Sequence, residues 1–156
     1  MSKIFVMSDL HLGGPWLSMA GEERIAKFID SISRPGVCLV IAGDVIDLEL
    51  FTVLVDGKTF VPPTALDILS AKTPVPEALR RFSGDLIIIA GTHDHVLGND
   101  GGAGVPCPIP NARFWTQKEP FVIREGQEKK PLVAIAHGNL GDALCCEAPI
   151  SDFSES

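Results

Sequence analysis

Histidine and aspartate side chains follow directly after short apolar runs in this chain. Four such runs each end in a turn that carries Asp, His or both, and all 4 histidines of the sequence lie in or beside those turns. The turns are Ser8-Asp9-Leu10-His11, Gly43-Asp44-Val45-Ile46-Asp47, Gly91-Thr92-His93-Asp94-His95 and His137-Gly138-Asn139. Carboxylates and imidazoles are common ligands of divalent metals. If the four turns meet in the fold, the chemistry they predict is that of a metal site.

The first two turns carry the clearest candidate ligands. Asp9 and His11 are two residues apart after an extended run, so both side chains point to the same side and could contact one cation. The alternative is an Asp that caps a turn beside an unrelated His. Asp44 follows Gly43, a residue that lets the chain turn sharply at the end of the strand. The two carboxylate oxygens of Asp44 could bridge two metals. For Asp47 a helix-capping or hydrogen-bonding role is favoured.

The last two turns add a candidate acid–base pair and a further ligand. An imidazole oriented by a neighbouring carboxylate can protonate a leaving oxygen near neutral pH, which makes His93 and Asp94 the candidate pair. We expect His95 to point to the other side and to be solvated. His137 is followed by Gly138, so a potential ligand again precedes a residue that lets the chain turn; taken alone it fits a structural role equally well.

The donor types also indicate the metal and the reaction. Nitrogen and oxygen ligands without thiolate suit Mn, Fe, Co, Ni or Zn. Two such ions about 4 Å apart would clamp a phosphoryl group, lower the pKa of bound water and stabilise an in-line displacement. The residue types therefore predict hydrolysis of a phosphate ester.

The four apolar runs predict buried strands that position these turns. Short β-branched runs bounded by Gly are typical of strands covered on both faces, and adjacent parallel strands would bring their carboxyl ends to one rim. The runs are Ile4–Met7, Val37–Ala42, Leu86–Ala90 and Leu132–Ala136.

Helices and loops are expected between these strands. Ile25, Phe28, Ile29 and Ile32 have amphipathic helical spacing, which gives a β-α-β unit with a right-handed crossover. A short helix is expected from Pro74 through Phe82. Residues 97–112 are rich in Gly and Pro and predict a loop, either a lid with substrate contacts or a mobile surface loop. Short strands are expected at 113–116 and 120–124.

Composition indicates one α/β domain spanning residues 1–156. Neither an apolar stretch of ~18 residues nor a signal peptide is recognised, so we expect a cytoplasmic protein without a membrane span. The formal net charge of −7 disfavours broad electrostatic binding to nucleic acid, although metal ions could still hold such a substrate. Cysteine spacing suggests neither a disulfide framework nor a zinc site, and Cys38 is expected to be a small core residue.

Four segments of the chain match a known set of motifs in order and approximate spacing. They are Asp9-Leu10-His11, Gly43-Asp44-Val45-Ile46-Asp47, Gly91-Thr92-His93-Asp94 and His137-Gly138. In these segments the chain resembles the calcineurin-like metallophosphoesterases. The resemblance extends from residue 3 to about 142. It implies an αββα sandwich with a dinuclear metal centre, manganese being the first choice of metal. Asp9 and His11 would bind the first metal, Asp44 would bridge both, His137 would bind the second, and His93 would be the catalytic imidazole held by Asp94.

The chain departs from this family pattern at two places. Thr92 stands where the family has Asn, a ligand of the second metal; a hydroxyl is the poorer donor, so that metal should bind weakly. The family's Gly-His-x-His motif, which supplies one ligand to each metal, is absent because no histidine follows His137.

With the chain ending at Ser156, the sandwich is expected to be incomplete at its C-terminal side. Three origins fit: a truncated product, which we favour, a fragment completed by another chain, or a compact relative. The mean hydropathy of +0.24 is then explained by exposed apolar surface, through which the chain could self-associate or bind a partner chain.

The leading hypothesis is a metal-dependent phosphoesterase that hydrolyses phosphomonoesters, phosphodiesters or pyrophosphates. A metal-bound hydroxide would attack phosphorus while His93 assists the leaving group. The alternative is a catalytically impaired or non-catalytic relative, or a fragment, that binds metal weakly or acts through protein contacts. A nucleic-acid-processing role is a third hypothesis, disfavoured by the acidic charge balance.

Overall fold

The computed structural model describes residues 3–48, 53–55, 58–60, 64–94, 97, 109–115, 120–125 and 130–137. Within these residues, all three helices fall between the first and the fifth strand along the chain. Their order is β1 (Lys3–Met7), α1 (Met19–Ile32), β2 (Val37–Ala42), β3 (Val53–Val55), β4 (Lys58–Phe60), α2 (Ala65–Ser70), α3 (Pro74–Arg81), β5 (Asp85–Ile89), β6 (Ala112–Trp115), β7 (Phe121–Glu125) and β8 (Lys130–Ile135).

The main sheet has four parallel strands in the order β1-β2-β5-β6. Because all four run in one direction, their carboxyl ends lie along the same edge. The central strand β2, Val-Cys-Leu-Val-Ile-Ala, is almost entirely buried, which explains why its sequence shows no polar alternation. The first three predicted strands are thereby confirmed, as are the short strands expected near residues 113–116 and 120–124.

The fourth apolar run forms a strand outside the main sheet. β8 pairs antiparallel with β7 in a separate hairpin, where Val122 lies opposite Ala134. Three of the four apolar runs therefore lie side by side in one sheet, and the fourth does not. An apolar run predicts a buried strand, but it does not specify the sheet in which the strand pairs.

Helices α1 and α3 cover one face of the sheet as the helical spacing predicts. Ser18 caps α1 by accepting a hydrogen bond from the backbone N–H of Gly21 at 3.2 Å, and Ile29 and Ile32 are buried. The short helix α2 begins with a capping box between Thr64 and Asp67. The hydrogen bonds from Thr64 lower the pKa of the Asp67 carboxyl.

The hairpin lies against the opposite face of the sheet. Val40, Ala42, Ile87, Ile89 and Ile135 form one buried apolar cluster on this face, and Cys38 packs against it. Cys38 thus has the packing role expected of it, and burial, followed by the charge of Asp85, raises the pKa of its thiol. The described part of the chain is a mixed α/β structure in which a parallel sheet has helices on one face.

Among the residues that the structure describes, none of the helices is both long and apolar enough to span a membrane.

Replacing Ile135 by Ala tests how firmly the hairpin is docked. The Ile135 side chain is 8 % exposed and belongs to the cluster between hairpin and sheet, so its truncation should lower the free energy of unfolding by about 2–4 kcal/mol. Val133→Ala, on the same strand but 44 % exposed, should cost less than about 1 kcal/mol. Urea denaturation measures both values, and equal losses would show that the hairpin does not depend on this contact.

Candidate metal centre

Backbone hydrogen bonds join the turn after β1 to the turn after β2. Residues 9–12 donate to carbonyls of residues 43–45, and the chain continues as an isolated parallel bridge between Leu12 and Ile46. The bonds are Asp9 N to Gly43 O at 3.2 Å, His11 N to Asp44 O at 2.9 Å, Leu12 N to Val45 O at 3.0 Å, and Asp47 N back to Leu12 O at 2.9 Å. The first two candidate turns therefore form one paired unit.

Three candidate ligands have left-handed backbone conformations. The φ angles are 56° at Asp9, 47° at His11 and 50° at Asp44. Among the described residues other than glycine, these three have a positive φ angle. Such conformations cost on the order of 1–3 kcal/mol each and persist where surrounding contacts enforce them. Here the cross-turn hydrogen bonds supply those contacts, and the strained positions coincide with residues that the sequence marks as ligands.

The Asp44 carboxylate lies at the centre of the site and is 4 % exposed. Its Oδ2 atom is 3.3 Å from Nε2 of His137 and 4.0 Å from Nε2 of His11, and it accepts a 3.5 Å hydrogen bond from Oγ1 of Thr92. Its Oδ1 atom accepts a hydrogen bond from the backbone N–H of His93 at 3.0 Å. Side chains from the other three turns thus meet at this carboxylate.

Two glycines allow this close approach. A Cβ atom on Gly43 would overlap the imidazole ring of His137, and one on Gly91 would overlap the carboxylate of Asp44. The motif glycines are therefore required by the space that the neighbouring ligands occupy, and at Gly43 also by a φ of +86°.

The geometry at His137 calls for a positive charge between it and Asp44. The Nδ1 atom of His137 lies 3.0 Å from the carbonyl oxygen of Ala42. Because a carbonyl oxygen can only accept a hydrogen bond, Nδ1 must carry the ring hydrogen. In the neutral ring the Nε2 lone pair then faces the lone pairs of Asp44 Oδ2 at 3.3 Å. A proton or a metal cation must lie between these atoms, and a bond from Nδ1 to a backbone carbonyl is the usual orienting contact of a metal-binding histidine.

His11 gives a second indication that the donors fit a metal. Its Nδ1 atom is buried without a hydrogen-bond partner, and the nearby Asp47 Oδ2 atom is 3.8 Å away. Two groups of donors have ligand atoms within 4.8 Å of one another. They are Asp9, His11 and Asp44, and His11, Asp47 and His93. The oxygen and nitrogen donors suit the divalent metals expected from the sequence.

Asp47 is the carboxylate that lies beside the His93 imidazole. Nδ1 of His93 is 3.2 Å from Oδ1 of Asp47, whose side chain is almost completely buried. The His93 ring also stands edge-on to the ring of His11, with 4.8 Å between the centroids. The hydrogen-bonding role favoured for Asp47 is confirmed, whereas the expectation that Asp94 holds His93 is wrong.

Asp94 instead binds backbone N–H groups of two turns. Its Oδ2 accepts from Val45 at 2.7 Å and from Ile46 at 3.2 Å, and its Oδ1 accepts from Gly91 at 2.6 Å. Burial raises the pKa of the Asp94 carboxyl and outweighs these three hydrogen bonds, which act to lower it; the charge of Asp44 raises it further. Asp94 is therefore a positioning residue that joins the turn after β5 to the turn after β2.

Some predicted features lie outside the described residues. These include His95, Gly138 and Asn139, together with all of the predicted loop 97–112 except Leu97 and residues 109–112. Of the five candidate ligands, Asp9 is exposed, Asp44 is buried, and His11, Thr92 and His137 are partly buried. The site is thus accessible from solvent on the Asp9 side.

Comparison of the chain with models of protein families and with curated proteins finds no match. The functional assignment therefore depends on the residues and their geometry.

Asp94→Ala tests the positioning role of the buried carboxylate. The change leaves three buried backbone N–H groups without their acceptor, and we expect the free energy of unfolding to fall by about 3 kcal/mol or more. The matched variant Asp67→Ala removes an exposed carboxylate from the cap of α2 and should cost clearly less. Urea denaturation of both variants at neutral pH measures the difference; equal losses would contradict this role.

Proposed function

We propose that the chain is a metal-dependent phosphoesterase that hydrolyses phosphate-ester or pyrophosphate bonds. The observation that carries this proposal is the approach of imidazoles from two other turns, His11 and His137, to the buried carboxylate of Asp44. The Nε2 lone pair of His137 and the Oδ2 atom of Asp44 face each other at 3.3 Å, and a cation bound between them would stabilise this arrangement.

The candidate ligands divide into two sets around Asp44. Asp9 and His11 would hold one ion and His137 and Thr92 the other, and Asp44, whose Oδ2 atom faces both His11 and His137, would belong to both sets. Divalent ions bound here, manganese first and Fe, Zn, Ni or Co with the same donors, would stabilise charge on the phosphoryl oxygens and lower the pKa of water. This ligand division follows the resemblance to the calcineurin-like metallophosphoesterases.

His93 is the proposed general acid for the leaving oxygen. With Nδ1 donating to Asp47, the opposite ring nitrogen carries the proton that the leaving group takes up. The buried Asp47 carboxylate stabilises the protonated ring, and the His93 side chain remains 31 % exposed, so a substrate can reach it. The backbone N–H of His93 donates to Asp44, which couples the acid to the ligand carboxylate.

The αββα sandwich belongs to the same proposal. The helices on one face of the main sheet form the first half of such a sandwich, and the β7–β8 hairpin on the other face would be the start of its second sheet. In this arrangement His137 follows directly from the hairpin and reaches a site otherwise built by the main sheet.

A catalytically impaired, weakly metal-binding protein is the second candidate. Thr92 favours it, because its hydroxyl donates its hydrogen to Asp44 at 3.5 Å and is a poorer metal donor than an amide carbonyl. The two candidates differ in turnover, since both predict some metal binding.

Asp44→Asn tests the central carboxylate with bis(p-nitrophenyl) phosphate as the substrate and Mn²⁺ as the added metal. Loss of the bridging charge should lower turnover by about 10²–10³-fold, the size of effect expected when one preorganised electrostatic group is removed. Asp67→Asn, a remote and exposed carboxylate, should leave turnover unchanged. Wild-type activity in Asp44→Asn would overturn the role of Asp44, and a folded wild type without metal-dependent turnover would support the second candidate.

Thr92→Asn tests the account of the weak second site. An amide carbonyl in place of the hydroxyl should tighten binding of the second Mn²⁺ by about tenfold, equivalent to about 1.4 kcal/mol. Calorimetric titration with MnCl₂ measures both binding steps. Thr73→Asn, placed at the start of α3, is the control that should leave both steps unchanged. An unaltered second step in Thr92→Asn would remove Thr92 from the ligand set.

A further inference from the structure

A cleft opens beside the candidate metal centre, between the end of β1 and the end of β8. Its volume is about 480 Å³, within the range of pockets that bind small molecules. Asp9 and His137, one proposed ligand from each metal set, form part of its wall. The apolar wall residues that matter for its chemistry are Val6, Ala42, Ala134 and Ala136.

Among the described residues that line the cleft, Asp9 and His137 carry the ionisable side chains and Ser8 adds a hydroxyl group. Val6 is 53 % exposed although it is a large β-branched residue in a strand of the main sheet. The small residues Ala42, Ala134 and Ala136 also line the cleft. The cleft therefore offers solvent-accessible apolar surface directly next to charged ligands.

We propose that this cleft binds an apolar alkyl or aryl substituent of a phosphodiester whose phosphoryl group lies at the metal centre. The proposal rests on the function proposed above and narrows its substrate class. A phosphoryl group beside Asp9 and His137 borders the cleft that these residues help to line, so one ester substituent can enter it. Beyond the two ligands, the Ser8 hydroxyl is the polar side-chain group that the described wall offers to a charged or sugar substituent in return for its lost hydration, whereas an apolar substituent gains by leaving water.

A second copy of the chain is the competing occupant of the cleft. Within the described strands, β8 pairs only with β7, and Val6 exposes apolar surface that another chain could cover. The ligand is favoured because the cleft is continuous with Asp9 and His137, a relation that a purely structural interface does not require. The oligomeric state therefore becomes part of the test.

The first experiment compares methyl, butyl and hexyl p-nitrophenyl phosphate, which share one leaving group. Burial of a methylene contributes about 0.8 kcal/mol, a factor of about four, so kcat/KM should rise about two- to fourfold per added methylene in this half-open cleft. Val6→Trp fills the cleft and should abolish the dependence on chain length. Val133→Trp is the matched control, because Val133 is also an exposed strand valine but does not line the cleft.

A binding measurement separates this proposal from the proposed function. Calorimetry should show hexylphosphonate binding at least tenfold more tightly than methylphosphonate in wild type and Val133→Trp, and with equal affinity in Val6→Trp. This result supports the cleft even if no ester is hydrolysed. Turnover without chain-length dependence would leave the phosphoesterase in place and overturn the cleft assignment. A dimer in sedimentation velocity that Val6→Trp dissociates, together with no hexylphosphonate preference, would also overturn it.

Discussion

The buried carboxylate of Asp94 is the interaction on which the geometry of the site depends. It accepts hydrogen bonds from Gly91, Val45 and Ile46, and so joins the turn after β5 to the turn after β2. These turns also carry Asp44 and His93. Because a buried carboxylate is stable only when it is well hydrogen-bonded, any displacement of either turn would leave it unsatisfied. The carboxylate thus limits movement of the two turns relative to each other.

This rigidity allows the candidate ligands to occupy unfavourable positions. Asp9, His11 and Asp44 have left-handed backbones, and Asp44 lies opposite nitrogen atoms of His11 and His137. Neither the strain nor the close approach of acceptors stabilises the fold. Both are consistent with a site that is formed before a cation binds, so that less free energy is spent on ordering the ligands afterwards.

The two faces of the sheet serve different purposes. The helical face is closed by a large apolar cluster, which stabilises the strands whose ends hold the ligands. The hairpin face is covered less completely: Ile135 is buried, whereas Val6 at the edge strand remains exposed. The incomplete cover leaves the cleft beside Asp9 and His137. The helical face thereby supplies stability and the hairpin face leaves access to solvent, and the candidate metal centre lies at the edge where the two faces meet.

The sequence by itself determined three parallel strands and the meeting of their terminal turns, because β-branched runs bounded by glycine specify buried strands and parallel strands end at one edge. It also marked Asp44, His11 and His137, which do meet. Tertiary structure alone decided that Asp47 rather than Asp94 faces His93. Adjacent residues in a turn point in directions set by each backbone angle and by the groups available to each side chain, and Asp94 is taken up by backbone donors from another turn. Likewise, the pairing of β8 with β7 depends on a partner strand that no local pattern specifies.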